Sequence, residues 1–218
     1  MANGDLDLKA IQHSLRTSAK AAGGRAVASG KWLSEWIVDN APRIPVRDAA
    51  TLSGHHDGLT GDALAQELIT TASRASAGVG AAVGALAGVE ELAPPAWVAL
   101  PFELVVETAA VAVIELKLVA ELHEAYGHAI PGRGRDKGLL VVKAWADRRG
   151  ITATGPGLST RAVRDEVVRQ VRRRLVRRAG RNLSSMIPLF VGAVAGAVAN
   201  RRATRSVGEA VAADLRPH

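Results

Sequence analysis

The chain has 218 residues and is 48% hydrophobic, yet it carries only seven aromatic side chains, so its core must be built from Ala, Val and Leu. It contains no cysteine, which excludes disulfides and thiolate metal sites. The net charge of +7 is concentrated: residues 161–181 hold nine arginines against two acidic residues, which equals the whole excess and leaves the remainder neutral.

Alternating β-branched runs are nearly absent and the four-residue rhythm of helices recurs throughout, which predicts an all-α bundle of about seven or eight helices. Residues 5–22 place Leu8, Ile11 and Leu15 on one face, and after Gly23 and Gly24 a second helix carries Trp32, Leu33, Trp36 and Ile37, ending before Pro42. Residues 42–58 read as a loop, or at most one turn of helix. Residues 1–58 therefore form an N-terminal pair of helices with a loop, ahead of a helical core over 59–218. The first thirty residues lack the apolar run of a secretory leader, which predicts a cytoplasmic protein.

From Thr60, a good N-cap residue, a long helix is predicted to about Glu91. Pro94 and Pro95 interrupt the pattern, and a further helix runs to about Tyr126, stopped by Gly127. The stretch "PGRGRD" reads as a polar loop, 138–149 as a short helix, and "TATGPG" as another loop. Ser159 or Thr160 opens an arginine-rich helix that Gly180 ends. An uncharged segment and a last helix over 203–214 complete the chain.

Two of these helices share a device. Ser76, Gly80, Gly84 and Gly88 are spaced four apart, and so are Gly192, Gly196 and Asn200, followed by Thr204 and Gly208. Residues four apart lie on nearly one helix face, so each segment presents a groove almost free of side chains. Glycine within a helix costs about 0.8–1 kcal/mol relative to alanine, and close backbone approach can recover it. The two grooves are expected to pack together.

The second groove lies in nineteen uncharged residues, Asn182 to Asn200, which reach about 28 Å as a helix, near bilayer thickness. Its Leu, Ile, Phe and Val residues contribute roughly −0.3 to −0.6 kcal/mol each toward insertion, but two Asn, two Ser, Pro188 and two Gly oppose them. Insertion alone comes out near zero, so a core helix is the simpler reading and an integral span the alternative. The first groove has fifteen uncharged residues, Ala75 to Val89, too few to span.

Residues 115–127, "ELKLVAELHEAYG", together with a basic helix, then Pro188, Gly192, Gly196 and Asn200, and then "SVGEAV", resemble the EcsC family. The family spaces the proline and first glycine one residue closer than Pro188 and Gly192. The resemblance covers about half the chain. It implies an α-helical bacterial protein loosely associated with membrane transport, through the family's naming beside an ABC transporter. It carries over no catalytic residues.

Three groups of side chains are candidate sites. Glu103, Glu107 and Glu121 form a carboxylate row on the helix before Tyr126, since eighteen residues make five turns and bring Glu121 back to the azimuth of Glu103. The simplest reading is a narrow solvated face with a Lys117–Glu121 pair; half-buried carboxylates with shifted pKa values are the alternative. His123, Glu124 and His128 follow, but "ELHE" and "EAYGH" miss the Glu-x-x-His spacing of inward-facing metal sites. His55, His56 and Asp57 share a polar loop without a further ligand group, so neither a metal nor a cofactor is expected. No Gly-x-Ser-x-Gly, Walker loop or dinucleotide fingerprint is present.

The strongest signal is the arginine helix, with Val163, Val167, Val171, Leu175 and Ala179 as an apolar stripe. Around it stand Arg164, Arg169, Arg172, Arg173, Arg174, Arg177, Arg178 and Arg181. Such a helix suits an anionic lipid surface or an acidic protein partner, or forms a core helix with a basic outer face. Nucleic acid fits less well, for no aromatic side chains interleave the arginines. The sequence thus points to a helical binding or regulatory protein at the inner membrane face. A soluble helical scaffold, and an enzyme with a Glu/His site, are the competing classes.

Overall fold

The helix that organises the molecule is the one with the least polar sequence. The computed structural model describes residues 7–23, 26, 31–90, 100–148 and 189–217. Among these residues are seven α-helices and no strand: α1 Leu8–Ala22, α2 Lys31–Asn40, α3 Ala49–His55, α4 Gly61–Glu90, α5 Leu100–Ala125, α6 Gly134–Arg148 and α7 Leu189–Leu215, with a 3-10 turn Ala41–Arg43 after α2. Every residue of α5 from Leu104 to Leu122 is buried. A helix apolar on all sides must be enclosed on all sides, and α5 touches each of the other six helices.

The hydrophobic cluster around α5 is continuous. Leu15, Leu33, Ile37 and Leu52 from the first 58 residues belong to the same cluster as Leu116 and Leu122. Each such side chain, removed from water, contributes about 1.5–3 kcal/mol. Trp32 is anchored as well as buried, because its indole N–H donates to Ser18 Oγ on α1 at 3.0 Å, and its ring lies 6.5 Å from that of Trp36.

Helix ends follow local chemistry. Asp7 caps α1 by accepting from the Ala10 N–H at 3.0 Å. At the far end of α5, Gly127 sits at φ +74°. There the His128 N–H reaches the His123 carbonyl at 2.8 Å and the Gly127 N–H the Glu124 carbonyl at 3.0 Å. This is the six-to-one and five-to-two pairing that a left-handed glycine permits.

Three sequence expectations are corrected. Residues 49–55, read as loop or at most one turn of helix, form the seven-residue α3, because Asp48 accepts from the Thr51 N–H at 2.8 Å and supplies an N-terminal cap. Gly134–Asp136, read as loop, begin α6. The uncharged segment and the last helix are not separate: α7 runs unbroken through Arg201 and Arg202. No proline or glycine lies between Ala197 and Arg205 to stop it, and charge alone does not end a helix.

α7 lies antiparallel along α4, with Gly196 beside Gly80, Thr204 beside Ser76 and Gly208 beside Ile69. A Cβ on Gly208 would lie 2.7 Å from Ile69 Cγ1, so the absent side chain makes room for a core isoleucine. Gly138 on α6 plays a similar part: a Cβ there would lie 2.7 Å from the Pro42 nitrogen.

Candidate functional site

The contact between α4 and α7 is backbone on backbone. A Cβ on Gly80 would lie 2.5 Å from the Gly196 carbonyl oxygen and 2.7 Å from Asn200 Nδ2, and a Cβ on Gly196 would run into the Gly80 carbonyl. Asn200 is 1% exposed and covers the bare face of Gly80, while its amide donates to Glu107 Oε1 on α5 at 2.7 Å. Gly80, Gly196, Asn200 and Glu107, separate in sequence, are thus brought to one point. Gly84, Gly88 and Gly192 lie in the same two helices, and their packing falls outside the described surroundings.

One turn along α7, Thr204 continues the polar seam. Its hydroxyl lies 2.8 Å from Ser76 Oγ and 3.0 Å from Glu115 Oε1. A hydroxyl has one proton and Glu115 is the stronger acceptor, so Thr204 donates to the carboxyl and accepts from Ser76. The other oxygen of Glu115 accepts from the Trp145 indole N–H on α6 at 2.9 Å. Glu115 has no exposed surface, and each oxygen meets a donor from a different helix. Satisfied hydrogen bonds of this kind are what make a buried acidic group tolerable. Sequence reasoning missed Glu115; its signal was an acid isolated in the apolar run "VAVIELKL".

The carboxylate row is not a solvated face, which corrects the simpler sequence reading. Glu107 and Glu121 are 5% and 4% exposed, and Glu103 is half-buried. Nor does the row form one site. Glu103 pairs with Arg16 of α1 at 3.0 Å. Glu121 is bound by Lys117 one turn earlier, and it also accepts from the Arg47 N–H at 3.4 Å. Lys117 donates to the Pro45 carbonyl at 2.7 Å, so this ion pair fastens the extended stretch after the 3-10 turn onto α5. A shared azimuth fixes direction, but different neighbours wait at each level of the helix.

The histidines do not join these carboxylates. His123 Nδ1 lies 2.8 Å from the Val119 carbonyl, His128 is exposed, and Glu124 pairs with Lys137 at 3.1 Å. His55 and Asp57 are exposed at the end of α3. Among the described residues no group of three or more His, Asp or Glu side chains could hold a metal ion. An open cleft of about 740 Å3 lies beside α1, α2 and the start of α6, with Trp36, Glu35, Asp39, Arg43 and Arg135 among its walls.

At the bundle's end, Asp62 ties three helices together. It accepts from the Tyr126 hydroxyl at 2.5 Å and from Arg216 Nε at 2.9 Å. These donors hold the Asp62 carboxyl below the usual carboxylate range, with Tyr126 the larger cause. Tyr126 is pushed up, first by burial and then by the carboxyl it faces.

The proposed lipid-binding arginines, Arg164, Arg169, Arg172, Arg173, Arg174, Arg177, Arg178 and Arg181, lie outside the described residues. Downstream of them, α7 exposes Arg201, Arg202 and Arg205. No described helix is long and apolar enough to cross a membrane. The fold defines an all-α helical bundle whose last helix is seated on α4 and α5 through a polar, small-residue seam. The chain matches no family model, no curated protein and no solved structure.

Proposed function

We propose that the protein is a peripheral helical module that associates with the anionic inner face of a membrane and acts by binding rather than by catalysis. One observation carries this reading: the whole basic excess of the chain lies in residues 161–181, and the helix downstream of it adds three exposed arginines, Arg201, Arg202 and Arg205. Each basic side chain close to an anionic bilayer contributes about 1 kcal/mol. The resemblance to the EcsC family, with its link to membrane transport, agrees with this reading. The described carboxylates agree with it, because Glu103, Glu107, Glu115 and Glu121 are each engaged by a structural donor.

The test is co-sedimentation of the full chain with vesicles of phosphatidylcholine alone and of phosphatidylcholine mixed with phosphatidylglycerol. Binding is expected only to the anionic vesicles, and raising salt to about 0.5 M, where screening shortens to a few ångströms, should weaken the headgroup component strongly. Equal recovery in the supernatant with both vesicle types would refute the proposal and favour a scaffold that never meets lipid.

A further inference from the structure

We propose that the outward face of α7 is the docking element, with Val194 and Val198 entering the boundary between headgroups and acyl chains while Arg201 and Arg205 engage lipid phosphates. This rests on the peripheral-membrane reading and gives it a place and a depth.

At about 100° per residue, Val194, Val198, Arg201 and Arg205 fall within a sector of about 60°. Gly196 and Asn200, about 170° and 130° round the helix from the middle of that sector, pack against α4 and α5, and Thr204 packs about 90° from it. The backbone contact of Gly80 with Gly196 therefore fixes the rotation of α7 and holds this sector outward. Val194 is 61% and Val198 39% exposed. The other large exposed hydrophobics among the described residues lie elsewhere, Leu59 in the connection between α3 and α4 and Leu140 on α6.

Along the axis, valines occupy the earlier turns and arginines the later ones. Arg205 also pairs with Glu209 at 2.8 Å, an exposed contact of little strength in water that a lipid phosphate can replace.

The face suits lipid better than protein. A stable protein interface buries about 800 Å2 on each partner, far more than two valines offer. An interfacial helix needs only an apolar strip flanked by basic side chains whose stems reach headgroup level.

Together the two valines expose about the surface of one whole valine, worth about a tenfold change in partitioning when buried. The chain has no cysteine, so a Val198→Cys variant takes a single environment-sensitive NBD label, and Gln66→Cys, exposed on α4, serves as the control. On phosphatidylcholine–phosphatidylglycerol vesicles the label at 198 should brighten and shift to the blue, and the label at 66 should not. Val194→Ser with Val198→Ser should lower partitioning about tenfold and leave the residual binding more sensitive to salt. If the chain binds anionic vesicles while the label at 198 stays water-like and the double variant binds as well as the parent, this inference falls and the peripheral reading stands. If the parent chain does not bind them, both fall.

Discussion

Gly78→Ala and Gly80→Ala make the same chemical change two residues apart on one helix, and they should move stability in opposite directions. Nothing lies within 4 Å of a Cβ on Gly78, so alanine there only relieves the entropy of a helical glycine, a gain of about 0.8–1 kcal/mol. The same gain is available at Gly80, but there the methyl would sit 2.5 Å from the Gly196 carbonyl oxygen, whereas ordinary contact begins at 3.4 Å. Both colliding atoms belong to backbone or to a side chain held by Glu107, so neither rotates away. The helices must part by about 1 Å, and overpacking of this kind costs about 1–3 kcal/mol. Separation also weakens the Asn200–Glu107 hydrogen bond, adding about 1 kcal/mol.

The net expectation for Gly80→Ala is a loss of about 1–3 kcal/mol, or roughly 2–12 °C in Tm for a chain of this size. Gly78→Ala should raise Tm by about 2–4 °C. Thermal unfolding followed by helical circular dichroism separates the two. Equal stabilisation by both substitutions would refute the close approach of α4 and α7.

Thr204→Val keeps shape but removes the proton given to Glu115 and the acceptor used by Ser76, so it should destabilise by about 2 kcal/mol, read as a lower urea midpoint at unchanged slope. A midpoint equal to the parent's would mean that the seam does not need this donor. The Asp62 clasp predicts a pH effect whose sign follows from its lowered pKa. Its stabilising contribution is complete above the ordinary value of 3.8 and is lost as pH falls through the lower folded value, because the unfolded chain binds the proton first. Asp62→Asn should therefore flatten the acid limb of a Tm profile taken from about pH 5 to about pH 2. Tyr126 acts oppositely: its pKa is raised above 10.0, so its contribution is present below that value and fades as pH rises through the folded one.

Much of the candidate site was legible as spacing. The four-residue repeats at Ser76–Gly80 and Gly196–Asn200 mark two faces that want a close neighbour, and the structure places them on each other. Legibility ended where partners had to be known. Glu103 and Glu121 share an azimuth on α5, yet one meets Arg16 and the other Lys117 and the chain after the 3-10 turn. Glu115 looked like one more acid, and only the convergence of α6 and α7 supplied Trp145 and Thr204. Asp48 and Thr51 spelled out a cap for α3, but seven residues among polar neighbours gave too little periodicity to register.

The order of apolar and small residues along this chain was enough to dictate an all-α bundle and the longest helices, because helix periodicity is a property of neighbours three and four apart. Which carboxylates are buried, which way α7 is turned and which of its valines face outward depend on residues far away along the chain, such as Asn200 for Glu107 and Gly80 for Gly196. Those were decided by packing alone, since burial is set by whatever the folded chain brings alongside.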